Sequence, residues 1–367
     1  MKLVLSKTIK HRLITIAVLF LLALLLSIIE NFPNFIESWY SEGLYPVICN
    51  ILHLLFNFIP FSVGDVFYIV LILSGLIAIV QLIRFLFIKK FEQFFSYLLK
   101  IVVTIQVLYL VFYLFWGLNY YRPSAAKRLG LQDTSYTIND IEAVTAKLID
   151  SANLYRSYLT NSDLKVTNAV IYQNGAEAIA ALSKQSVNYV SYRPKAKSAM
   201  LTWATNYLQT AGYYNPFTGE SQVNYQMPVF MRPATTTHEL SHQMGFGAED
   251  EADFVGFLAG ISSRNKLLKY SAYYLGVDEF MRSIRSRDNV NFKALKACIS
   301  PAVLNDFKTE RLYWQSFEGR TGTLSGIFYD HFLKANNQPH GLRTYNRMIR
   351  LTMAWYKKNE PAILQTH

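Results

Sequence analysis

Two histidines and a glutamate in one short stretch are the residues of this chain best suited to chemistry. His238, Glu239, Leu240, Ser241 and His242 spell H-E-x-x-H within the segment Thr235 to Phe254. Helix residues four apart share a face, so His238 and His242 would offer two imidazoles to one metal ion. Glu239 beside them would take a proton from water at that ion. The surroundings favour a helix. Pro233 suits a first turn, Thr235, Thr236 and Thr237 offer N-caps, and Leu240 and Met244 give an apolar side.

Gly245 and Gly247 then stop the helix and permit a tight reversal. A second amphipathic pattern follows through Ala252, Phe254, Val255, Leu258 and Ala259, opened by Glu249, Asp250 and Glu251. Acids suit a helix N-terminus whatever their other role, because the dipole favours negative charge there. A catalytic zinc takes three protein ligands and keeps one position open. With two histidines in hand, the third ligand should be a nearby carboxylate or histidine. Glu249 and Glu251 both qualify, and helix phase separates them.

The stretch E-D-E-A-D resembles the E-x-x-A-D signature of gluzincin metallopeptidases. The resemblance implies that Glu249 is the third zinc ligand and that Asp253 supports a zinc-binding histidine, with Glu251 the competing ligand. The connection from His242 to Glu249 is shorter than in many gluzincins. Gly245 resembles the turn of metzincins, but that family's third ligand position falls on Ala248, which cannot bind metal. The chain as a whole resembles an uncharacterised family of bacterial membrane proteins, a domain of unknown function. The resemblance rests on N-terminal spans, on G-Y-Y-N-P-F-T-G-E at Gly212 to Glu220, and on H-E-x-x-H followed by E-D-E-A-D-F. It implies a zinc-peptidase-like protein and brings no substrate with it.

The elements that must position these residues divide sharply by composition. Hydrophobic residues make up 51% of the chain and aromatics 15%, and the excess lies in the first third. Apolar runs cover Leu13 to Ile29, Val66 to Ile88 and Tyr97 to Trp116, giving expected spans at about 13–30, 66–88 and 97–117. Gln81, Arg84 and Gln106 need interfacial or packed positions. The first run is long for a signal peptide and lacks a small-x-small cleavage site, so it reads as an uncleaved span.

Lys2, Lys7, Lys10 and Arg12 precede the first run, and Lys89, Lys90 and Lys100 follow the second, whereas Asn31 to Asp65 contains no Lys or Arg. Positive-inside logic therefore puts the N-terminus in the cytoplasm and everything after about residue 118 outside the cytoplasmic membrane. The apolar loop from Val47 to Phe61 is expected to lie on the membrane or to pack under the outer domain as an interfacial helix. The division expected is a three-span anchor over 1–118 and a zincin-like, mostly helical extracytoplasmic domain with a small β-sheet over 119–367. The fold class is mainly α.

Within the outer domain, Thr137 and Asp140 suggest a capped helix running to about Thr160. Further helices are expected over Ala176 to Tyr189, Val277 to Ser286, Pro301 to Ser316, Leu324 to Ala335 and Tyr345 to Lys358. A short strand over Ser221 to Tyr225 would serve as the edge that holds a substrate backbone. His331, His340, Tyr213 and Tyr214 are candidate oxyanion donors. Cys49 and Cys298 would share a compartment, although nothing in their spacing demands a bridge.

The chain carries a net charge of +11, of which +8 falls after residue 118. A basic domain at a membrane is drawn to anionic headgroups or acidic envelope polymers, and the topology keeps it from nucleic acid. The expected function is zinc-dependent hydrolysis of a peptide, or of a cell-wall stem-peptide amide, at the outer membrane face. The alternatives are a non-catalytic zinc-stabilised sensor or scaffold, and an intramembrane protease. The polar groups around the motif disfavour the last.

Overall fold

The computed structural model describes residues 6–133, 135–287, 289–339, 341 and 346–361. Three helices are long and apolar enough to cross a bilayer: α1 (Lys7–Ile29), α3 (Val63–Phe87) and α4 (Phe91–Phe115). Between the first two lies α2 (Tyr45–Phe56), reached through a widely wound segment, Ile36–Leu44. Each span-length helix starts ahead of its apolar run, because polar first turns lengthen it. In α3 the Ser62 hydroxyl caps Asp65 N. Gln106, polar and mid-span, turns its amide to Ile16 O of α1 (3.2 Å), the packed position its chemistry requires.

The loop between α1 and α3 packs under the folded domain. Tyr45 Oη donates to Gln243 O (2.8 Å), and the buried His53 ring bonds Gly219 O (2.8 Å). Val47, Ile51, Leu54 and Phe58 remain exposed on the other side of this segment. Trp116, Leu118, Tyr113, Tyr45 and Ile36 form a common apolar cluster that joins this loop to the end of α4.

The folded domain begins with α5 (Ile138–Ser157), opened by the expected capping box of Thr137 and Asp140. Next comes α6 (Asn168–Ser183), well ahead of the expected Ala176 to Tyr189. Gly175, just ahead of the expected start, lies inside this helix. A Cβ there would stand 2.6 Å from Thr236 Cγ2, so the glycine admits a neighbouring helix and interrupts nothing.

Then follow β1 (Ala196–Ser198), α7 (Thr202–Tyr207), β2 (Gly212–Asn215) and β3 (Glu220–Val223). The sheet order is β1-β3-β2, with β1 parallel and β2 antiparallel to β3. The remaining helices are α8 (Arg232–Gln243), α9 (Glu249–Ser262), α10 (Lys266–Arg287), α11 (Asn289–Ala297), α12 (Pro301–Gln315), α13 (Arg320–Ala335) and α14 (Asn346–Asn359). The protein is mainly α, with three span-length helices and one small sheet.

The core lies where α10 packs along α5 and α9, and where α8 packs on α9, α6 and β3. Ile141, Leu148, Phe254, Phe257, Tyr270 and Phe280 fill it and are wholly buried. Cys49 is buried, Cys298 is exposed, and the two are not bridged.

Helices α8 and α9 approach backbone to side at Gly256. A Cβ on Gly256 would lie 2.8 Å from His238 N and 3.0 Å from His238 Cα, and backbone cannot yield as a side chain can. Gly256→Ala should therefore destabilise the chain by about 1–3 kcal/mol, the usual scale of overpacking. Thermal unfolding in detergent measures this, with Gly75→Ala, whose surroundings are open, as the neutral control. Equal unfolding temperatures for the two variants would contradict the packing argument.

Candidate metal centre

Helix α8 starts at Arg232, with Pro233 in its first turn, so the three threonines lie inside the helix and do not cap it. Their hydroxyls turn back to carbonyls, Thr236 Oγ1 to Arg232 O (2.7 Å) and Thr237 Oγ1 to Ala234 O (3.0 Å). An early N–H, that of Ala234, is met by Ser271 Oγ (2.9 Å) from α10. At the other end Gly245 takes φ +81°, the left-handed conformation that ends helices. Its N–H reaches His242 O (2.9 Å), which also accepts from Trp116 Nε1 (3.0 Å) just beyond α4. Arg122 Nη1 donates to Gly245 O (3.1 Å) and pairs through Nε with Glu37 (2.7 Å). The chain leaving the third span is thus fastened to the end of the histidine helix.

Both histidines are oriented through Nδ1. His238 Nδ1 donates to Asp253 Oδ1 (2.6 Å), and His242 Nδ1 donates to Phe246 O (2.7 Å). That arrangement fixes the tautomer and leaves both Nε2 atoms for a metal. Those two atoms face one carboxylate, with His238 Nε2 3.3 Å from Glu249 Oε2 and His242 Nε2 3.7 Å from Glu249 Oε1. Ligand atoms of His238, Glu239 and His242 also lie within 4.8 Å of one another. Glu239 is buried, and its Oε2 has no hydrogen-bond partner among the described residues. An orphaned buried carboxylate oxygen is costly unless a ligand or water meets it, and a donor set of two imidazoles and a carboxylate suits zinc.

The structure brings Glu249 and Asp253 to the histidines and turns Glu251 away. Glu251 Oε1 accepts from Ala125 N (2.6 Å), and its Oε2 pairs with Arg128 (3.2 Å). Helix phase separates the two glutamates. Ser221 to Tyr225 differs from expectation as well. Glu220–Val223 is the central strand, paired on both sides and buried throughout, so it has no edge to offer. The edge strand beside the site is β2. A Cβ on Gly212 would stand 2.7 Å from Glu239 Oε1, which brings the β2 backbone against that carboxylate.

The candidate oxyanion donors are engaged or distant. Tyr213 Oη bonds Asp65, and Tyr214 Oη lies 3.5 Å from Tyr45 Oη. His331 is exposed on α13, and His340 lies outside the described residues. A tyrosine not singled out from sequence is at the site instead. Tyr329 Oη, from α13, donates to Glu249 Oε1 (2.6 Å), and Gln338 Oε1 accepts from Glu249 N (3.3 Å). Tyr329 lies eighty positions from Glu249, and no spacing rule points from one to the other.

Charges here are set by burial working against neighbours. Burial pushes the Glu239 carboxyl up to about 7, assisted by Glu249 and Asp253 and opposed by the two histidines. Burial alone would lower His238, but Asp253 and then Glu249 hold it well above the ordinary imidazole value. Burial would raise Glu249, yet His242 and His238 keep it well below the usual carboxylate range.

The chain belongs to the family described as "Protein of unknown function (DUF3810)", whose model matches residues 40–353. That match takes in two of the three span-length helices and the whole candidate centre. No curated protein and no solved structure matches the chain.

Proposed function

We propose that this chain is a zincin-like, zinc-dependent peptidase held in the cytoplasmic membrane by three spans, its N-terminus in the cytoplasm and its folded domain outside. The observation that carries the reading is the convergence of both histidine Nε2 atoms on Glu249, with the unpartnered Glu239 Oε2 beside them. His238, His242 and Glu249 would hold the ion, and Asp253 would keep the His238 ring in place. Bound zinc supplies a lowered water pKa and a polarised carbonyl.

The rest falls to the chain's own groups. Glu239 accepts a proton from the attacking water at Oε2 and delivers it to the leaving amine. A peptide strand added to the free edge of β2 runs beside that carboxylate, because Gly212 leaves nothing between them. The amide of a peptide or of a cell-wall stem peptide suits this arrangement equally. The second reading is a non-catalytic zinc-stabilised sensor or scaffold. Its support is the burial of Glu239, His242 and Glu249, since structural zinc sites are closed.

Metal content and hydrolysis of a mixed peptide library, measured on the purified full chain, separate the two. Glu239→Gln should keep about one zinc per chain and lose hydrolysis by about 10²–10⁴-fold. Glu249→Gln should lose zinc, and Glu251→Gln should retain both zinc and activity. Wild-type hydrolysis in Glu239→Gln defeats the peptidase reading in favour of the scaffold. Loss of metal from Glu251→Gln but not from Glu249→Gln overturns the ligand set.

The orientation has its own test. A reporter that folds only outside the cytoplasm should be active when fused after residue 125. Activity solely from a cytoplasmic reporter at that point reverses the topology.

A further inference from the structure

Helix α13 has two unlike faces. Its inward face carries Tyr329, Phe332 and Leu333, the last wholly buried. Leu324, Ile327 and Phe328 face outward and are 65, 53 and 74% exposed. Exposed Arg320 and Lys334 stand at either end of that stripe. A short helix beside it repeats the pattern, since Trp203 of α7 is 63% exposed and Tyr207 49%. The two helices touch, since a Cβ on Gly322 would lie 3.4 Å from Tyr207 O, and the Tyr207 ring meets Phe317, just ahead of α13, edge-on (5.5 Å). On α13 the three exposed apolar groups share one face, and on α7 Trp203 and Tyr207, four residues apart, share another. Isolated exposed apolar residues need no explanation, but a contiguous patch marks a contact surface.

The position of this patch follows from what its helices hold. The ring of Phe332 meets Phe112 (6.1 Å), and Asn336 Oδ1 accepts from Tyr113 Oη (3.2 Å). Phe112 and Tyr113 lie in the last turn of α4. Met200 N, just before α7, donates to Asp65 Oδ2 (2.6 Å) in the first turn of α3. Helices of 25 residues reach roughly 37 Å at ~1.5 Å per residue, beyond the ~30 Å hydrocarbon core. The end turns of α3 and α4 therefore stand in the headgroup layer, and α7 and α13 lie alongside them at that level.

We propose that the outward faces of α7 and α13 rest in the bilayer surface on the side occupied by the folded domain, Trp203, Leu324, Ile327 and Phe328 entering the acyl boundary. An apolar stripe suits the acyl boundary, and Arg320 at its start is placed to meet headgroup phosphates, whereas Lys334 at its other end pairs with Asp330 (2.6 Å). The same helix α13 supplies the Tyr329 hydroxyl to Glu249. The candidate metal centre is thereby one helix thickness from lipid. This contact does not depend on zinc or on hydrolysis.

The test uses the full chain in vesicles of phosphatidylethanolamine and phosphatidylglycerol, with an environment-sensitive dye on single cysteines. Cys49 is buried, and exposed Cys298 serves as the aqueous reference. In a Cys298→Ser background, dye on Phe328→Cys or Trp203→Cys should emit to the blue. It should be quenched by spin-labelled lipid several-fold more than by aqueous iodide, the reverse of dye on Cys298. Ile327→Cys repeats the measurement, and all three positions are exposed, so the fold should tolerate the changes. Quenching by iodide as at Cys298 overturns the proposal. So does protection from both quenchers, which would mean that a second copy or another protein covers the patch.

Discussion

Helices α8 and α9 cross where Gly256 lies against the backbone of His238, with no room for a side chain between them. That approach lets Asp253 reach His238 Nδ1 and sets the Glu249 carboxylate across from both Nε2 atoms. A wider crossing would lengthen these contacts together, and the polar groups would be buried without partners. Each such group costs about 1–3 kcal/mol. The glycine turn at Gly245 complements the crossing by bringing α9 back over α8 within a few residues. The centre is therefore a property of one helix pair, and the rest of the domain holds that pair in register.

The folded domain is also fixed to the spans by polar contacts that are seldom free in a protein interior. Lys197 and Glu220 form a buried ion pair under the sheet. Burying such a pair costs several kcal/mol per ion unless the remaining hydrogen-bonding capacity is filled. Here Lys197 Nζ also donates to Phe56 O (2.8 Å) and Phe61 O (3.0 Å), and Glu220 accepts from Gly64 N (2.6 Å) at the start of α3. Glu220 thereby occupies the positive end of a membrane-spanning helix, where a carboxylate is favoured. With Trp116 on His242 O and Tyr45 on Gln243 O, the histidine helix is held from the membrane side at its C-terminal end.

Much of this was legible in the sequence because it rests on local spacing. The i,i+4 histidines, the glycine stop, the capping box at Thr137 and the three apolar runs each declare themselves within a few turns. What escaped depends on contacts distant in sequence. Helix α6 starts ahead of the expected Ala176, and Gly175 sits within it where a side chain would meet Thr236. The threonines before His238 read as caps, but Pro233 lies early enough to start the helix ahead of them. Strand β3 alternates like an edge strand, although it gained a parallel neighbour from residues upstream. Glu249 and Glu251 differ only in helix phase, and their placement required Arg128, which draws Glu251 away. Tyr329 carries no local signal at all.

The central claim is that His238, His242 and Glu249 form one zinc site. X-ray absorption at the zinc edge of the purified, metal-loaded chain tests it most directly, because it reads the atoms around the ion. The account predicts two imidazole nitrogens at about 2.0–2.1 Å, oxygen at about 2.0–2.2 Å and no sulfur. One imidazole should be lost in each of His238→Ala and His242→Ala. A sulfur shell near 2.3 Å, or a spectrum with no imidazole scattering, would contradict it.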